Sequence, residues 1–299
     1  MKIIDGIILV NKEKGYTSHD VVNKIKHIFN EKTGHTGTLD PNATGLLPIL
    51  IGNGTKLSAY LINHDKEYLV DLRLGIKTDT ADSEGKIIKE ELVKSDIFDK
   101  ENIKKVLTSF IGKQEQIPPM YSAIKVNGKK LYEYARKNIQ IDIKPRNIEI
   151  YNIELIDVSS ENREIKFCVK CSKGTYIRSL CEDIATKLGT IGYMKELKRN
   201  IVGEFNIKDS IKIEDLEKNK NNMNFLKEHF IDIETFFIKY KKSKKIVLDD
   251  KRLKMFLNGV KLNKNMKNGD YTIYNEKNEF IGIGKIINNL LKREIVVEK

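Results

Sequence analysis

Short apolar runs alternate with polar, glycine-containing segments along the chain, and their spacing predicts both strands and helices. Residues 7–10 form a continuous apolar run, which predicts a buried first strand. A helix is predicted next, because its apolar residues recur at intervals that share one helical face: Val21, Val22, Ile25, Ile28 and Phe29. Thr17 and Ser18 are candidate N-caps for this helix, since a hydroxyl oxygen can accept from its first free amides.

The same reasoning predicts the elements in the middle of the chain. Residues 66–75 alternate between apolar and polar positions, as expected of a strand with one buried face. That face carries Tyr68, Val70, Leu72 and Leu74. Residues 101–110 predict a helix, and residues 148–155 and 165–171 predict two further strands. Tyr68 is the only member of its face with a polar tip, and it lies at the end of the face.

Residues 34–41, Gly-His-Thr-Gly-Thr-Leu-Asp-Pro, are polar and glycine-rich, so we expect a loop there. The apolar run that follows predicts a buried element that anchors this loop. Pro41 disfavours a helical backbone at Asp40 and so favours an extended conformation there. Gly34 and Gly37 can adopt positive φ, which would let the backbone approach a ligand closely. An ordinary turn has the same composition, so the pattern alone leaves a catalytic and a structural role open for Asp40.

An Asn-Gly pair at 127–128 predicts a tight hairpin. Basic and aromatic side chains interleave around it: Tyr121, Lys125, Lys129, Lys130, Tyr132, Tyr134, Arg136 and Lys137. Lysines can neutralise phosphates while tyrosines stack on bases, so this segment is a candidate RNA contact. A hairpin with ordinary solvated lysines fits the same residues.

A helix is predicted to begin near Thr175, which is a candidate cap, and to end at Gly189. Arg178 then lies in the first turn, where its charge opposes the helix dipole. A carboxylate or phosphate partner would explain this placement. The acidic segment at residues 78–85 is expected to be a solvated loop, although one of its carboxylates could pair with an arginine of the site.

Charge indicates a polyanionic partner. The chain contains 54 Lys and Arg against 42 Asp and Glu, for a formal net charge of +12. Nucleic acid is the first candidate partner and an anionic membrane the second. The absence of tryptophan and the abundance of lysine, asparagine and isoleucine also fit a nucleotide bias in the coding genome, so charge alone does not decide.

The length of 299 residues is sufficient for one large domain and a small one, or for two medium domains. The basic segment at residues 239–245 is the preferred boundary. After it, residues 246–299 show short strands and turns, which predict a small β-rich module.

Several classes of protein are disfavoured by the sequence. No signal peptide is evident, and the run at residues 7–10 is too short to cross a membrane, so we expect a cytoplasmic protein. The three cysteines fit a reducing compartment. Cys168 and Cys171 would lie on opposite faces of a strand without a second pair, which argues against a zinc site. No phosphate-binding glycine motif follows a strand, so a nucleotide cofactor is unsupported.

Well-spaced motifs then identify a family. They are Leu-Val-Asn-Lys at 9–12, Gly-His-Thr-Gly-Thr-Leu-Asp-Pro at 34–41, Lys-Glu-Tyr at 66–68, Ile-Pro-Pro-Met-Tyr-Ser-Ala at 117–123 and Cys-Ser-Lys-Gly-Thr-Tyr-Ile-Arg at 171–178. In this order they resemble the TruB-type tRNA pseudouridine synthases over nearly the whole chain. The resemblance implies an α+β fold with two domains. Residues 1–238 would form a catalytic domain on a long mixed sheet, with an RNA-gripping hairpin insert at about 117–145, and residues 246–299 a PUA-like RNA-binding domain.

The resemblance also implies an activity, the isomerisation of uridine to pseudouridine in the TΨC arm of tRNA, at the position conventionally numbered 55. Asp40 would be the catalytic nucleophile, and Arg178 would pair with it and keep it ionised. Tyr68 would stack on the flipped base and is also a candidate proton acceptor. His35 would help to hold the RNA loop open, while Tyr176 and Leu197 would surround the base.

Further expectations follow from the same resemblance. Lys12, Lys129 and Lys130 are predicted to bind substrate, with the tRNA TΨC stem-loop as partner and no cofactor or metal. A monomer that requires no protein partner and no membrane is expected. The family's usual Leu-Arg-Arg is Leu-Lys-Arg at residues 197–199, which would weaken a bidentate phosphate contact. A non-catalytic tRNA-binding or tRNA-folding module and a guide-dependent ribosomal RNA synthase are the alternatives.

Overall fold

The computed structural model describes residues 5–137, 139 and 141–297. Its strands in chain order are β1 Gly6–Lys12, β2 Thr33–His35, β3 Thr44–Ile51, β4 Lys66–Leu74, β5 Ile76–Thr78, β6 Ile87–Glu90, β7 Gly112–Gln116, β8 Lys125–Val126, β9 Lys129–Lys130, β10 Arg146–Ser159, β11 Glu164–Cys171, β12 Gly192–Val202, β13 Phe205–Asn206, β14 Phe230–Asp232, β15 Lys244–Leu248, β16 Leu262–Asn263, β17 Gly269–Asn275, β18 Phe280–Ile287 and β19 Leu290–Val296. Its helices are α1 Ser18–Phe29, α2 Ser58–Leu61, α3 Lys100–Thr108, α4 Leu131–Ala135, α5 Ile177–Lys187, α6 Ile213–Lys218, α7 Met223–His229, α8 Ile233–Thr235 and α9 Asp250–Leu257.

A long mixed sheet organises the molecule, in the order β14-β1-β3-β12-β4-β11-β10-β7, with β2 beside β3 and β13 beside β12. Its neighbours pair antiparallel except β3 and β12, which run parallel. The predicted α+β fold with a long mixed sheet is confirmed. The parallel pair is important for the site, because it brings β12 between β3 and β4, and these strands carry side chains from distant parts of the sequence.

Apolar side chains bury both faces of this sheet. On one face, α1 packs beside β3 and α5 beside β12. Residues such as Val21, Ile25 and Ile184 share an apolar cluster there with Val70 and Leu72 of β4. On the other face, residues of β1 and β3 form a cluster with two phenylalanines that follow α8 and with side chains of the second sheet: Ile7, Leu9, Leu46, Leu50, Phe236, Phe237, Ile283 and Ile295. The second sheet, in the order β15-β17-β18-β19-β16, is therefore packed against the back of the first.

Most elements predicted from periodicity are present. The first strand and the helix after it are confirmed, and Thr17 is the N-cap in a reciprocal capping box with Asp20. The alternating strand is confirmed as β4, with buried residues at every second position. Asn127 and Gly128 have φ of 51° and 80° and form the predicted turn between β8 and β9.

Other local predictions were wrong. Thr33–His35 is a short strand paired with β3, because the edge of β3 supplies its hydrogen bonds, so the loop is shorter than expected. The α5 N-cap is Tyr176, while the Thr175 hydroxyl donates to the Ser172 carbonyl instead of capping. The C-terminal module contains the helix α9, which the sequence reasoning missed.

Domain division remains a proposal. The second sheet begins with β15, close to the predicted boundary, and we keep residues 1–238 and 246–299 as the two proposed units. Residues 1–4 of the first and 298–299 of the second lie outside the described residues, as do 138 and 140 of the predicted hairpin insert. Within the described part of the chain, no helix is long and apolar enough to cross a membrane.

Candidate active site

A cavity of about 480 Å³ opens where the loop before β3 meets β4, β12 and the start of α5. Five of the residues predicted from the sequence line it together: Asp40, Tyr68, Tyr176, Arg178 and Leu197. They are up to 157 positions apart in the chain but converge because β12 lies between β3 and β4 in the sheet. Tyr68 and Leu197 are each 8% exposed, so they form the apolar wall of the cavity.

Arg178 connects the two acidic groups at this site. Its Nε lies 3.2 Å from Asp40 Oδ2, and its other nitrogen Nη1 lies 3.4 Å from Asp82 Oδ2. The guanidinium also donates to the carbonyls of Thr80 and Tyr121. A buried arginine with this many acceptors has its plane fixed. The predicted pairing of Arg178 with Asp40 is thus present in the structure.

Asp82 corrects the expectation of a solvated acidic loop at residues 78–85. It is only 6% exposed, because the loop folds onto Arg178. Its Oδ1 accepts from the Thr80 hydroxyl at 2.6 Å and from the Glu84 amide at 3.1 Å. The alternative, that one carboxylate of this loop pairs with the site's arginine, is what the structure contains.

Ionisation of Asp40 depends on opposing effects. Desolvation raises the pKa of Asp40 above the ordinary carboxyl value, Arg178 and Lys12 oppose this rise, and the neighbouring Asp82 charge adds to it. The net direction is upward although the carboxylate side chain is 34% exposed. Arg178 therefore favours the ionised carboxylate and limits the rise in pKa without reversing it.

The backbone on both sides of Asp40 is held by buried groups. The Ser18 hydroxyl accepts from the Leu39 amide at 2.8 Å and donates to the Leu39 carbonyl at 3.0 Å. The Pro41 carbonyl accepts from Lys12 Nζ at 2.9 Å and from the Gly15 amide at 3.0 Å. Asp40 therefore lies between two residues whose backbone positions are fixed.

Lys12 does not reach the cavity, so its predicted contact with substrate is corrected. The side chain is fully buried, and Nζ donates to the carbonyls of Glu13, Tyr16 and Pro41. Burial lowers the pKa of Lys12 to about 8, although Asp40 acts in the opposite direction. Lys12 positions the loop that carries Asp40.

Arg199 holds the other end of the loop. It is 1% exposed, with Nε donating to the Leu46 carbonyl at 2.8 Å and Nη2 to the Gly37 carbonyl at 3.0 Å. It lies opposite Tyr68 in the pairing of β12 with β4. Burial raises the pKa of Tyr68, and the nearby Arg199 charge opposes that rise. The cavity wall and the catalytic loop are joined through this one guanidinium.

The backbone of β3 approaches that of Arg199 so closely that only a glycine fits, and this glycine is neither Gly34 nor Gly37. Neither Gly34 nor Gly37 has positive φ. Gly45 does, with φ of 104°, and a Cβ there would lie 2.3 Å from the Arg199 carbonyl oxygen. Gly34 and Gly37 therefore do not use the freedom of a glycine backbone, and the constraint lies where β3 meets β12.

Of the other predicted residues, His35, Lys129 and Lys130 are not among those that line the cavity. His35 is partly buried in β2, where its Nδ1 accepts from the Gly37 amide, and burial lowers its pKa. Tyr176 is held by Gln116, whose side chain accepts from its amide and donates to its carbonyl. Lys129 is exposed in the hairpin, and Lys130 is partly buried with its ammonium over the Tyr132 ring. Tyr132, in α4 directly after the hairpin, does line the cavity.

Sequence reasoning did not assign Ser18, Lys66 or Arg199 to the site. Ser18 was assigned only as a possible cap, and Arg199 only as part of a phosphate-binding motif. The available signal was a basic residue at an inward position of a strand whose other inward residues are mostly apolar. Lys66 and Arg199 occupy such positions in β4 and β12. Among the described residues, no group of three or more histidine, cysteine or acidic side chains is arranged to hold a metal.

Comparison with known families gives two matches. Residues 26–177 match the family described as the TruB family pseudouridylate synthase N-terminal domain. Residues 178–237 match the family described as the tRNA pseudouridylate synthase B C-terminal domain. Together the two matches cover the cavity, the loop with Asp40 and most of the central sheet.

Two curated relatives carry the name tRNA pseudouridine synthase B. The protein of Clostridium kluyveri is 46% identical over 288 residues, which are 94% of this chain and 95% of that protein. The protein of Caldanaerobacter subterraneus subsp. tengcongensis is 41% identical over 284 residues, with coverage of 94% and 95%. Such identity over nearly full length indicates a shared family and fold.

Solved structures with the same fold include an H/ACA RNP bound to a substrate RNA containing 2′-deoxyuridine. It has a TM-score of 0.67 and 25% identity, and covers 98% of this chain and 85% of its own. A Cbf5–Nop10–Gar1 complex has a TM-score of 0.66 and 26% identity, and the match covers 98% of this chain and 84% of that one.

Proposed function

The chain belongs to the TruB family of pseudouridylate synthases and isomerises uridine to pseudouridine in tRNA, and we propose that Asp40 is its nucleophile. The proposed target is the uridine conventionally numbered 55, in the TΨC arm. One observation carries the assignment of Asp40. Its carboxylate pairs with Arg178 at 3.2 Å in the same cavity that Tyr68 and Leu197 line.

The residue types fit the reaction. The bond between N1 and C1′ must break, the uracil must turn, and a bond between C5 and C1′ must form. Asp40 supplies a carboxylate that either attacks the substrate, in a covalent bond that breaks again before pseudouridine is released, or stabilises the positive charge that develops on the sugar as the N1–C1′ bond breaks. The proton that leaves C5 is matched by the proton that N1 gains, so the reaction is an isomerisation without a redox step. Arg178 keeps the carboxylate oriented at each stage.

The uridine must leave its stack before the carboxylate can reach it. We assign Tyr68 to stacking on the everted base, with Tyr176 and Leu197 on the other sides of the cavity. Tyr68 is held by its position in β4 and by Arg199, so the ring can receive a base without reorganising. His35, at the edge of the loop, is assigned to the space that the base vacates.

The rest of the tRNA requires a larger surface. We assign Lys129 and Lys130 on the β8–β9 hairpin to phosphate contacts, and the second sheet to further RNA binding. The net charge of +12 supports a polyanionic partner of this size. We propose that the enzyme acts as a monomer in the cytoplasm, where tRNA is processed, and without a protein partner.

A tritium-release assay tests this proposal. The substrate is a tRNA transcript with tritium at C5 of its uridines, because the C5 proton is lost only when pseudouridine forms. We expect release by wild type and none by Asp40→Asn, which keeps the shape of the side chain but cannot attack. The exposed Asp96→Asn is the matched control and should release tritium as wild type does.

A second transcript tests the position. Replacing uridine 55 by cytidine should abolish tritium release while leaving tRNA binding unchanged. Continued release from that transcript would disprove the assigned position, and equal release by Asp40→Asn and wild type would disprove the assigned nucleophile.

The two alternatives are not favoured. A non-catalytic tRNA-binding module would not need a carboxylate oriented by a buried arginine in a cavity. A guide-dependent synthase would resemble the H/ACA proteins most, yet identity to these is 25–26%, against 41–46% to the bacterial relatives. Activity on bare tRNA separates all three.

A further inference from the structure

Lys66 is a buried lysine whose charge the reaction described above does not use. It is 9% exposed, begins β4 and lines the same cavity as Asp40. Its Nζ donates to the His64 carbonyl. No carboxylate lies within ion-pair distance of Lys66 among the residues that the structure describes. Lysine is rarely buried without a charged partner, because desolvating an ammonium costs free energy.

Charges near Lys66 do not compensate for this cost. The pKa of Lys66 is lowered to about 8, chiefly by burial and next by Arg199; Lys173 also lowers it, while Cys171 and Asp65 act in the opposite direction. Cys171 is not an anion at neutral pH, because burial raises its pKa to about 12. Asp65 accepts from the Tyr151 hydroxyl instead. Three cations, Lys66, Lys173 and Arg199, therefore line the cavity together.

The cations near Lys66 are not the groups that act most strongly on the reacting carboxylate. The charges that act most strongly on Asp40 are those of Arg178, Asp82 and Lys12. Those that act most strongly on Lys66 belong to a different set, described above. Lys66 lies close to the loop that carries Asp40, since a Cβ on Gly37 would lie 3.9 Å from Lys66 Cε and 3.6 Å from Arg199 Nη1. The buried Thr36 hydroxyl next to Gly37 also has no hydrogen-bond partner in the described part of the chain.

We propose that Lys66 binds a backbone phosphate of the tRNA beside the everted nucleotide. The inference rests on the proposed function, in which a uridine enters this cavity. Asp40 and Tyr68 are assigned to the uridine, so the anionic backbone is the part of the nucleotide whose charge the cations of this cavity match. A compact ammonium with unused donors suits a phosphate oxygen. The unpaired ammonium of Lys66 lowers the stability of the folded protein, and phosphate binding is the role that explains its presence.

Salt dependence of binding tests the contact. In wild type, log K for tRNA falls linearly with log salt, and each phosphate contact contributes about 0.7 to 0.9 to the slope. We expect Lys66→Met to reduce the slope by about that amount and to weaken binding at low salt by roughly ten- to a hundredfold. Lys66→Arg should restore most of the slope. Lys104→Met, on the exposed face of α3, is the matched control and should leave the slope unchanged.

The chemical step is measured separately, as the single-turnover rate at saturating tRNA. We expect Lys66→Met to raise the tRNA concentration that gives half the maximal rate by a larger factor than it lowers the rate at saturation, because a phosphate contact is the same in the ground and transition states. The thermal midpoint of Lys66→Met should equal or exceed that of wild type, since the variant removes an unpaired buried charge. The thermal midpoint therefore shows that Lys66→Met is folded before its tRNA binding is compared with that of wild type.

Three outcomes would decide against the contact. An unchanged slope with a reduced rate at saturation would place Lys66 on the uracil instead, and an unchanged slope with an unchanged rate would exclude substrate contact. A slope that Lys66→Arg fails to restore would indicate a loss of structure. If wild type formed no pseudouridine in tRNA, the proposed function itself would fail. The wild-type assay alone shows this, so the two failures can be told apart.

Discussion

The Ser18 hydroxyl makes two hydrogen bonds to the backbone of one residue, Leu39. It accepts from the Leu39 amide at 2.8 Å and donates to the Leu39 carbonyl at 3.0 Å. Both residues are buried, and Asp40 follows directly. The first residue of α1 thus fixes the backbone from which the catalytic carboxylate projects, and the helix and the loop cannot move independently.

Replacing Ser18 by alanine should affect both stability and rate. The change leaves a buried amide and a buried carbonyl without partners, which costs about 1–3 kcal/mol. The loop would also sample positions in which Asp40 is displaced, so the single-turnover rate should fall at least about tenfold. Urea unfolding and tritium release measure the two effects. Ser58→Ala, at the exposed start of α2, is the matched control, and an equal effect of both variants would refute the assigned role.

Asp40→Asn should abolish activity without destabilising the free enzyme at neutral pH. Because burial raises the pKa of Asp40, its ionised form costs stability in the folded state, and the variant removes that cost. The cost is present above the raised pKa of Asp40 and disappears as pH falls through it. We therefore expect the variant to be as stable as wild type or more stable at pH 7, with the difference vanishing in acid.

Asp82→Asn provides the contrast for that prediction. It weakens the hydrogen bonds from Thr80 and Glu84 and leaves Arg178 with one carboxylate, so it should destabilise the protein by about 1–3 kcal/mol. Urea titrations of both variants from pH 4 to pH 8 would compare them. A neutral-pH loss of stability in Asp40→Asn as large as in Asp82→Asn would contradict the stated pKa direction.

Local pattern was sufficient to predict many elements but not how the site is held. β1, α1 and β4 follow from the burial of one face, which leaves a period of two or 3.6 in the sequence. The hairpin followed from Asn127-Gly128, because few residues tolerate positive φ there. That Asp40, Tyr68 and Arg178 belong to one site was inferred from the resemblance. Nothing in their spacing along the chain predicts that residues of three separate elements come together.

Long-range contacts explain what the sequence did not reveal. Arg199 holds the Gly37 carbonyl across 162 positions, and only the parallel pairing of β12 with β3 brings them together. Lys12 was assigned to substrate from the resemblance of its motif, whereas its buried position depends on the Pro41 carbonyl 29 positions away. Asp82 looked solvated because its acidic neighbours are, and its partner Arg178 is in a different element.

Gly45→Ala should disrupt the site, because no side chain fits there. The backbone φ of 104° is unfavourable for alanine, and the new Cβ would lie 2.3 Å from the Arg199 carbonyl oxygen. β3 and β12 would have to separate, so we expect a loss of about 2–4 kcal/mol in the free energy of unfolding and a large fall in activity. Gly34→Ala is the matched control, since its Cβ would meet no atom of the described residues within 4 Å. Similar losses in both variants would contradict this account.

The buried ammonium of Lys12 predicts an unusual pH dependence of stability. Burial lowers its pKa from 10.5 to about 8, so the unfolded chain binds more protons than the folded one between these values. Stability contributed by this residue should therefore rise with pH from about 8 to 10.5. Comparing wild type with Lys12→Met by urea unfolding at several pH values isolates the effect. A difference between the two that stays constant across that range would rule out the lowered pKa.

The hairpin lysines should contribute to tRNA affinity but not to chemistry. Lys129 is exposed, Lys130 lies over the Tyr132 ring, and neither lines the cavity, although Tyr132 does. Replacing both by alanine should weaken tRNA binding and lower the salt slope by about 0.7 to 0.9 for each phosphate that the hairpin no longer neutralises. The single-turnover rate at saturating tRNA should not change, because the hairpin does not touch the uridine. Lys104→Ala serves as the control for general charge. A rate loss at saturation with an unchanged salt slope would mean that the hairpin orders the cavity through Tyr132 and does not grip the RNA backbone.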